Sequence, residues 1–61
     1  MTIKEIIEFG IFNHNNSTWK LTHFECENMT EYILYCNGAE YKRYTPKDIH
    51  EVIRDIGLEG I

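Results

Sequence analysis

Histidine and cysteine side chains are the groups in this sequence that could bind a metal ion. The candidates are His23, Cys26, Cys36 and His50. Zinc takes cysteine and histidine ligands in fours, but common zinc fingers supply a close cysteine pair and a close histidine pair, and this spacing has neither. Cysteine is also a common small buried residue. We therefore expect no metal ion and no cofactor.

Cys26 is also the candidate nucleophile, because a reactive cysteine needs a nearby histidine and a third group that orients it. His23 is close in sequence, but an offset of three residues along a strand places the two side chains on opposite faces. A chain of 61 residues leaves little room for a substrate cleft. We expect no catalytic residues and no enzyme activity. A disulfide with Cys36 is also not expected, since the predicted strands hold the two cysteines far apart.

Aromatic and basic residues occur together along the predicted strands and suggest a nucleic-acid-binding surface. Bases stack on exposed aromatic rings, while lysine and arginine contact phosphates. The candidate binding residues are Trp19, Lys20, Tyr35, Lys42, Arg43 and Tyr44. However, ten acidic residues against six basic ones give a net charge of -4, and nucleic-acid-binding domains usually have a basic surplus. Ordinary strand residues, partly buried by a helix or a second chain, would give the same pattern.

Acidic residues recur every four positions near the end of the chain. Glu51, Asp55 and Glu59 would share one face of a helix, where like charges repel slightly. This acidic face could contact a basic partner, as in proteins that inhibit a nucleic-acid enzyme by imitating phosphates. A solvated helix face explains the same row.

Two amphipathic helices are predicted, one near each end of the chain. Residues 2–9 form the first, because Thr2 and Glu5 fit a capping box and isoleucines follow at helical spacing. The last helix begins at Pro46, where a proline costs no hydrogen bond, and Gly57 ends it.

Strands are predicted between the helices at residues 18–26, 32–36 and 41–44. An asparagine-rich loop, residues 13–17, precedes them. Asn37 and Gly38 are the strongest hairpin signal, a two-residue turn in which both residues take positive φ. The order α-β-β-β-α predicts a single α+β domain over residues 1–61, with a three-stranded antiparallel sheet packed by two amphipathic helices.

The length of the first hairpin loop decides which side chains face the helices, because a slip of one residue turns every side chain to the other face. A three-residue loop at positions 28–30 places Phe24 opposite Leu34 beneath the helices, and we expect this register. The other face then exposes Trp19, Leu21, His23, Ile33, Tyr35, Lys42 and Tyr44. An exposed patch of this kind usually marks a partner site. We expect both helices on the Leu34 face, with one helix on each face as the alternative.

A core this small is marginal, because so short a chain buries only about 60% of the surface that its unfolded form exposes. A homodimer would complete it, and Trp19 is expected near the contact. Two cysteines, no secretory leader and no apolar run of about 20 residues favour a reduced, cytoplasmic, soluble protein without membrane contact.

The function predicted from these features is that of a small acidic regulatory protein acting by protein–protein contact. The abundance of Ile, Asn, Tyr and Lys, whose codons are AT-rich, is typical of a low-GC bacterium or its phage and favours a phage or mobile-element origin. A nucleic-acid-binding module with an aromatic and basic sheet face is the alternative. An acidic nucleic-acid-mimic inhibitor is the third possibility.

Overall fold

A computed structural model describes residues 2–58 as a sheet with short helices on one side. The elements are α1 (Ile3–Phe9), β1 (Ile11–His14), β2 (Ser17–Cys26), β3 (Met29–Cys36), β4 (Ala39–Tyr44), a 3₁₀ turn (Ile49–Glu51) and α2 (Val52–Asp55). The four strands are antiparallel and lie in sequence order across the sheet.

The prediction of a three-stranded sheet is wrong, because residues 13–16, which were expected in a loop, form the end of a further strand, β1, and its turn. Asn15 and Asn16 make the β1–β2 turn with φ values of 51° and 62°. Asparagine tolerates this left-handed region better than most residues, so the pair replaces the usual Asn-Gly sequence. Phe12 then lies opposite Trp19 across the hairpin. The order is α-β-β-β-β followed by the 3₁₀ turn and α2, not α-β-β-β-α.

The first helix begins as its sequence predicts. Thr2 Oγ1 accepts a hydrogen bond from the Glu5 N–H at 3.3 Å, and the Thr2 N–H donates to Glu5 Oε1 at 2.9 Å. This capping box satisfies backbone donors that a helix start leaves free. Gly10 ends the helix in the left-handed region, with φ of 72°, and its N–H donates to the Ile6 carbonyl.

The expected register of β2 against β3 is wrong by three residues, because Leu34 lies opposite Leu21 and not opposite Phe24. The turn holds two residues, Glu27 and Asn28, so Leu21 lies opposite Leu34. Phe24 points to the other face and is 58% exposed. The end of this hairpin extends beyond the helices, so its helix-side positions need not be apolar there.

The core lies between one face of the sheet and the helical segments. Its buried side chains are Ile6, Phe12, Trp19, Leu21, Leu34, Tyr44, Ile49, Val52, Ile56 and Leu58. Residues from α1 and α2 join the same cluster, so both helices lie on the Leu34 face, as expected. We call this side of the sheet the covered face and the opposite side the open face.

The β3–β4 hairpin forms at the predicted turn. Asn37 and Gly38 take φ values of 51° and 89°, and Cys36 lies opposite Ala39. Both residues of the turn therefore adopt the positive φ that suits the twist of a two-residue hairpin.

A bulge follows that turn and changes the predicted register of β4. Tyr35 pairs with Glu40 whereas Leu34 pairs with Lys42, which leaves Tyr41 as the extra residue. Beyond the bulge, Tyr44 projects onto the covered face and is buried, although the sequence predicted it on the exposed one.

The last helix is shorter than predicted. Pro46 lies in a turn, and the 3₁₀ segment Ile49–Glu51 precedes α2, Val52–Asp55. Thr45 Oγ1 accepts a hydrogen bond from the Asp48 N–H at 3.3 Å. This side-chain bond stabilises a local turn where the sequence predicted a continuous helix.

Gly38→Val is expected to lower the free energy of unfolding by more than about 1 kcal/mol, because a β-branched residue resists positive φ. A Cβ at this position would meet nothing within 4 Å, so the cost comes from the backbone alone. Glu27→Gly should raise the free energy of unfolding, since Glu27 has φ of 56°, which glycine adopts without strain. Thermal denaturation of both variants measures the effect, and a neutral Gly38→Val would contradict the turn.

Candidate functional site

The open face has no helix over it among residues 2–58. Alternate positions of all four strands project onto it: Ile11 and Asn13 from β1, Lys20, Thr22 and Phe24 from β2, Met29, Glu31, Ile33 and Tyr35 from β3, and Glu40 and Arg43 from β4. This face combines apolar, hydroxyl and charged groups in one continuous surface.

A groove of about 410 Å³ lies on the open face where β1, β2 and β3 run side by side. It is lined by Ile11, Thr18, Lys20, Thr22, Tyr35 and Gly38. Ile11 is 58% exposed at its edge. Aliphatic and aromatic walls, threonine hydroxyls and one ammonium suit a partner that inserts an apolar side chain and also offers polar groups.

Beyond this groove, β2 and β3 extend past their neighbours as a two-stranded arm. β1 pairs with β2 only up to Lys20, and β4 ends opposite Tyr32. Phe24 and Met29 project from the arm on the open face and are 58% and 73% exposed. An isolated two-stranded hairpin is marginally stable in water, so a partner that covers these side chains would stabilise the arm.

Most charged groups of the open face neutralise one another. Arg43 Nε and Nη2 each donate to a carboxylate oxygen of Glu40 at 3.0 Å, and Nη1 donates to Glu31 at 2.9 Å. These hydrogen bonds lower the pKa of Glu40 and raise the pKa of Arg43. Lys20 forms no ion pair with any described residue, so it is the free cation of the groove.

Lys42 and Tyr44 belong to a separate cluster, which joins β4 to α2. Lys42 Nζ and the Tyr44 hydroxyl both donate to Asp55 Oδ2, at 2.9 Å and 2.8 Å. The Lys42 ammonium also lies 5.1 Å from the centre of the Tyr44 ring. The two hydrogen bonds, that from Lys42 above all, lower the pKa of Asp55, while burial raises the pKa of Tyr44. The cluster therefore holds the last helix against the sheet.

Acid is expected to destabilise the fold in part through Asp55. Its pKa is lowered in the folded state, so its stabilising effect is present above the unfolded pKa and is lost as the pH falls through the folded value. Glu5 and Glu40 act in the same direction. Asp55→Asn should lower the melting temperature near neutral pH and lose less stability than the parent below about pH 4. Melting curves with identical acid dependence for parent and variant would contradict this coupling.

The six residues predicted to bind nucleic acid do not share one surface. Those on the open face are Lys20, Tyr35 and Arg43. Trp19 and Tyr44 are core residues, 8% and 3% exposed, so their predicted exposure is wrong. Lys42 lies on the covered face and pairs with Asp55. The fold thus brings together half of this set, and the cation of Arg43 is already paired with acids.

The predicted acidic face is also divided by its contacts. Asp55 binds Lys42 and Tyr44, whereas Glu51 accepts a hydrogen bond from Arg54 at 2.8 Å. Glu59 lies outside the described residues. The two described acids are therefore engaged in ion pairs within the chain.

The residues considered for metal binding and nucleophilic chemistry are dispersed. His23 and Cys26 are exposed on opposite faces of β2, and Cys36 is half-buried against the core. Within residues 2–58, no group of three or more histidine, cysteine or acidic side chains is placed to hold a metal ion. The same part of the chain contains no helix with the length and apolar character to cross a bilayer.

Comparisons with protein families, with curated proteins and with solved structures found no match to this chain. The candidate site therefore rests on the geometry of the open face. Sequence reasoning missed Ile11, Thr22 and Phe24 as members of it. A signal was present, because polar residues at Thr18, Lys20 and Thr22 alternate strictly with Trp19 and Leu21, as in a strand with one covered face.

Proposed function

We propose that this chain is a small, acidic, non-enzymatic binding protein that regulates another protein by contact through the open face of its sheet. The observation that carries the proposal is a sheet face that no helix of residues 2–58 covers, on which Ile11, Phe24 and Met29 are each more than half exposed. Large apolar side chains exposed on one sheet face are a feature of surfaces that serve a partner or a ligand.

The size of the molecule fits such a contact. Its Cα trace measures 35 × 23 × 17 Å, so the outline of its broad side is about 800 Å². Each partner in a standard protein–protein interface buries about this area. A partner that covers the open face would therefore bury enough surface for a specific complex.

The charges of the open face favour a protein over a nucleic acid. Arg43 is bound by Glu40 and Glu31, which leaves Lys20 as the free cation among the described residues of this face. Nucleic-acid affinity depends on several cations that replace counterions along the phosphates. The chemistry of the groove instead fits a protein segment with an apolar side chain, which fills the groove, and a carboxylate opposite Lys20.

The setting that we propose is the cytoplasm of a low-GC bacterium, with a phage or mobile element as the source of the gene. Both cysteines are free thiols, which suits a reducing compartment. The composition of the chain supports the genomic part of the proposal.

Site-specific photo-crosslinking in the source cell tests the proposed surface. A benzophenone amino acid placed at Ile11 or Tyr35 should yield one protein adduct of defined mass. The same group at Phe9, which is equally exposed but on α1, should not. Lys20→Glu should reduce the adduct and should weaken binding of the purified partner about tenfold or more, because it places like charges together.

Two results would overturn the proposal. Adducts that contain nucleic acid and disappear with rising salt would assign the open face to the nucleic-acid-binding function. Equal yields from Phe9 and from the open-face positions would show that this surface has no special role.

A further inference from the structure

The outer edge of β2 is an unpaired strand edge along half of its length. β1 pairs with residues 17–20 and Gly10 bonds to Leu21, and no other strand among residues 2–58 lies beside the continuation from Thr22 to Cys26. His23, Phe24, Glu25 and Cys26 are all exposed. An exposed edge strand is a template for pairing with another chain, and this one has no proline and no bulge to prevent it.

The backbone groups that point out of this edge can be identified. The Leu21 N–H donates away from β3, to the Gly10 carbonyl at 2.8 Å, whereas the Thr18 carbonyl accepts from the Asn37 N–H on the β3 side. Since strand backbones alternate, the N–H and C=O groups of His23 and Glu25 point outward like those of Leu21. They can therefore bond a further antiparallel strand.

The sequence of this edge is complementary to itself around Phe24. In an antiparallel pair of two copies centred there, His23 lies opposite Glu25 of the other copy, and both are outward-bonding positions. Each such pair exchanges two backbone hydrogen bonds and brings an imidazole N–H beside a carboxylate. Phe24 meets its own copy at the centre, where side chains approach most closely.

Neighbouring registers are less favourable. Centring the pair on Glu25 would oppose two like carboxylates, and centring it on His23 would oppose Leu21 to Glu25. If the two-fold axis of the pair passed between two residues, open-face side chains of one copy would lie beside covered-face side chains of the other. Side-chain hydrogen bonding between His23 and Glu25 and the direction of the backbone groups thus select a single register.

We infer that the chain forms a two-fold symmetric dimer in which the β2 edges pair around Phe24. Opposed residues in antiparallel strands project to the same face, so the two open faces lie side by side on one surface. The contact is an isologous one that closes on itself. It is a short interface, and we expect a dimer that exchanges with monomer at micromolar concentrations. The inference does not depend on the identity of a partner at the open face.

Cysteine crosslinking tests the register directly. In a variant with Cys26→Ala and Cys36→Ala, Phe24→Cys should form an intermolecular disulfide rapidly under mild oxidation, since two copies of position 24 would lie about 4.5 Å apart between Cα atoms. Glu25→Cys is the matched control on the same exposed strand. In the proposed register, position 25 of one copy faces position 23 of the other. The two copies of position 25 are therefore two residues apart along the paired strands, too far for a disulfide. Equal crosslinking rates at the two positions would overturn the register.

Sedimentation equilibrium on the unmodified chain tests the dimer itself. Between about 5 µM and 500 µM, the mean mass should rise from near 7.3 kDa towards twice that value. His23→Pro should weaken association about tenfold or more, because it removes an outward N–H in each copy and leaves the bonds to β3 in place. Circular dichroism would verify that this variant is folded. A parent mass of 7.3 kDa throughout would overturn the dimer and leave the photo-crosslinking prediction intact.

Discussion

Trp19→Ala is expected to cost about 3–5 kcal/mol of stability, the usual effect of truncating a buried tryptophan. The Trp19 side chain is 8% exposed, and its ring meets Tyr41 edge-on, with 5.1 Å between ring centres. Its Nε1–H donates to the His14 carbonyl at 3.2 Å, so the substitution also leaves a backbone acceptor without its partner. A chain of 61 residues has a total stability of about 3–9 kcal/mol, so most of the variant should be unfolded at 25 °C.

Phe9→Ala is the control for Trp19→Ala. Phe9 is an aromatic residue that is 58% exposed, and its truncation should change stability by less than about 1 kcal/mol. Urea denaturation followed by circular dichroism measures both variants. If Trp19→Ala unfolds at the same urea concentration as the parent, Trp19 lies on the exposed face that the sequence first predicted.

Leu34→Ala is the second substitution with a large expected effect. Leu34 is fully buried in the centre of β3, opposite Leu21, and the helices close over it. Removing its side chain should cost about 2–5 kcal/mol, because the lost burial is accompanied by a cavity that the surrounding residues fill only in part. The unfolding midpoint should fall accordingly.

Ile11→Ala provides the comparison on the opposite side of the sheet. Ile11 is 58% exposed beside the groove, so its truncation should cost much less than that of Leu34. Equal destabilisation by the two substitutions would contradict the assignment of covered and open faces.

Features fixed by local chemistry could be predicted from the sequence. The Thr2–Glu5 capping box and the Asn37–Gly38 turn depend on residues that are adjacent or three apart, and both form as expected. Placing both helices on one face also followed from the short length and single apolar stripe of each helix.

The β1–β2 turn and the bulge in β4 could not be predicted, because the local sequence at each is compatible with more than one structure. Asn15 and Asn16 make a tight turn without glycine, so β1 looked like a loop. No residue type near Tyr41 indicates a bulge in the sequence. The bulge nevertheless directs the Tyr44 side chain into the core. Local sequence does not encode which residue a strand leaves unpaired when two registers have similar energies.

The candidate binding surface was mispredicted for a physical reason. The expected register was chosen to keep His23 and Glu25 away from the helices. These residues do lie on the helix side of β2, but on the arm, where both remain exposed. Alternation in a strand identifies two faces, whereas the extent of the covering helices decides how far along the strand burial continues.

The β2–β3 register decides which side chains form the open face and which residues occupy the free strand edge. Nuclear Overhauser contacts between Hα protons of opposed, non-hydrogen-bonded residues measure it directly, because these Cα atoms lie only about 4.5 Å apart. The structure predicts strong contacts from Leu21 to Leu34 and from His23 to Tyr32. A strong contact between Phe24 and Leu34 instead would place Phe24 beneath the helices and contradict both the open face and the proposed dimer.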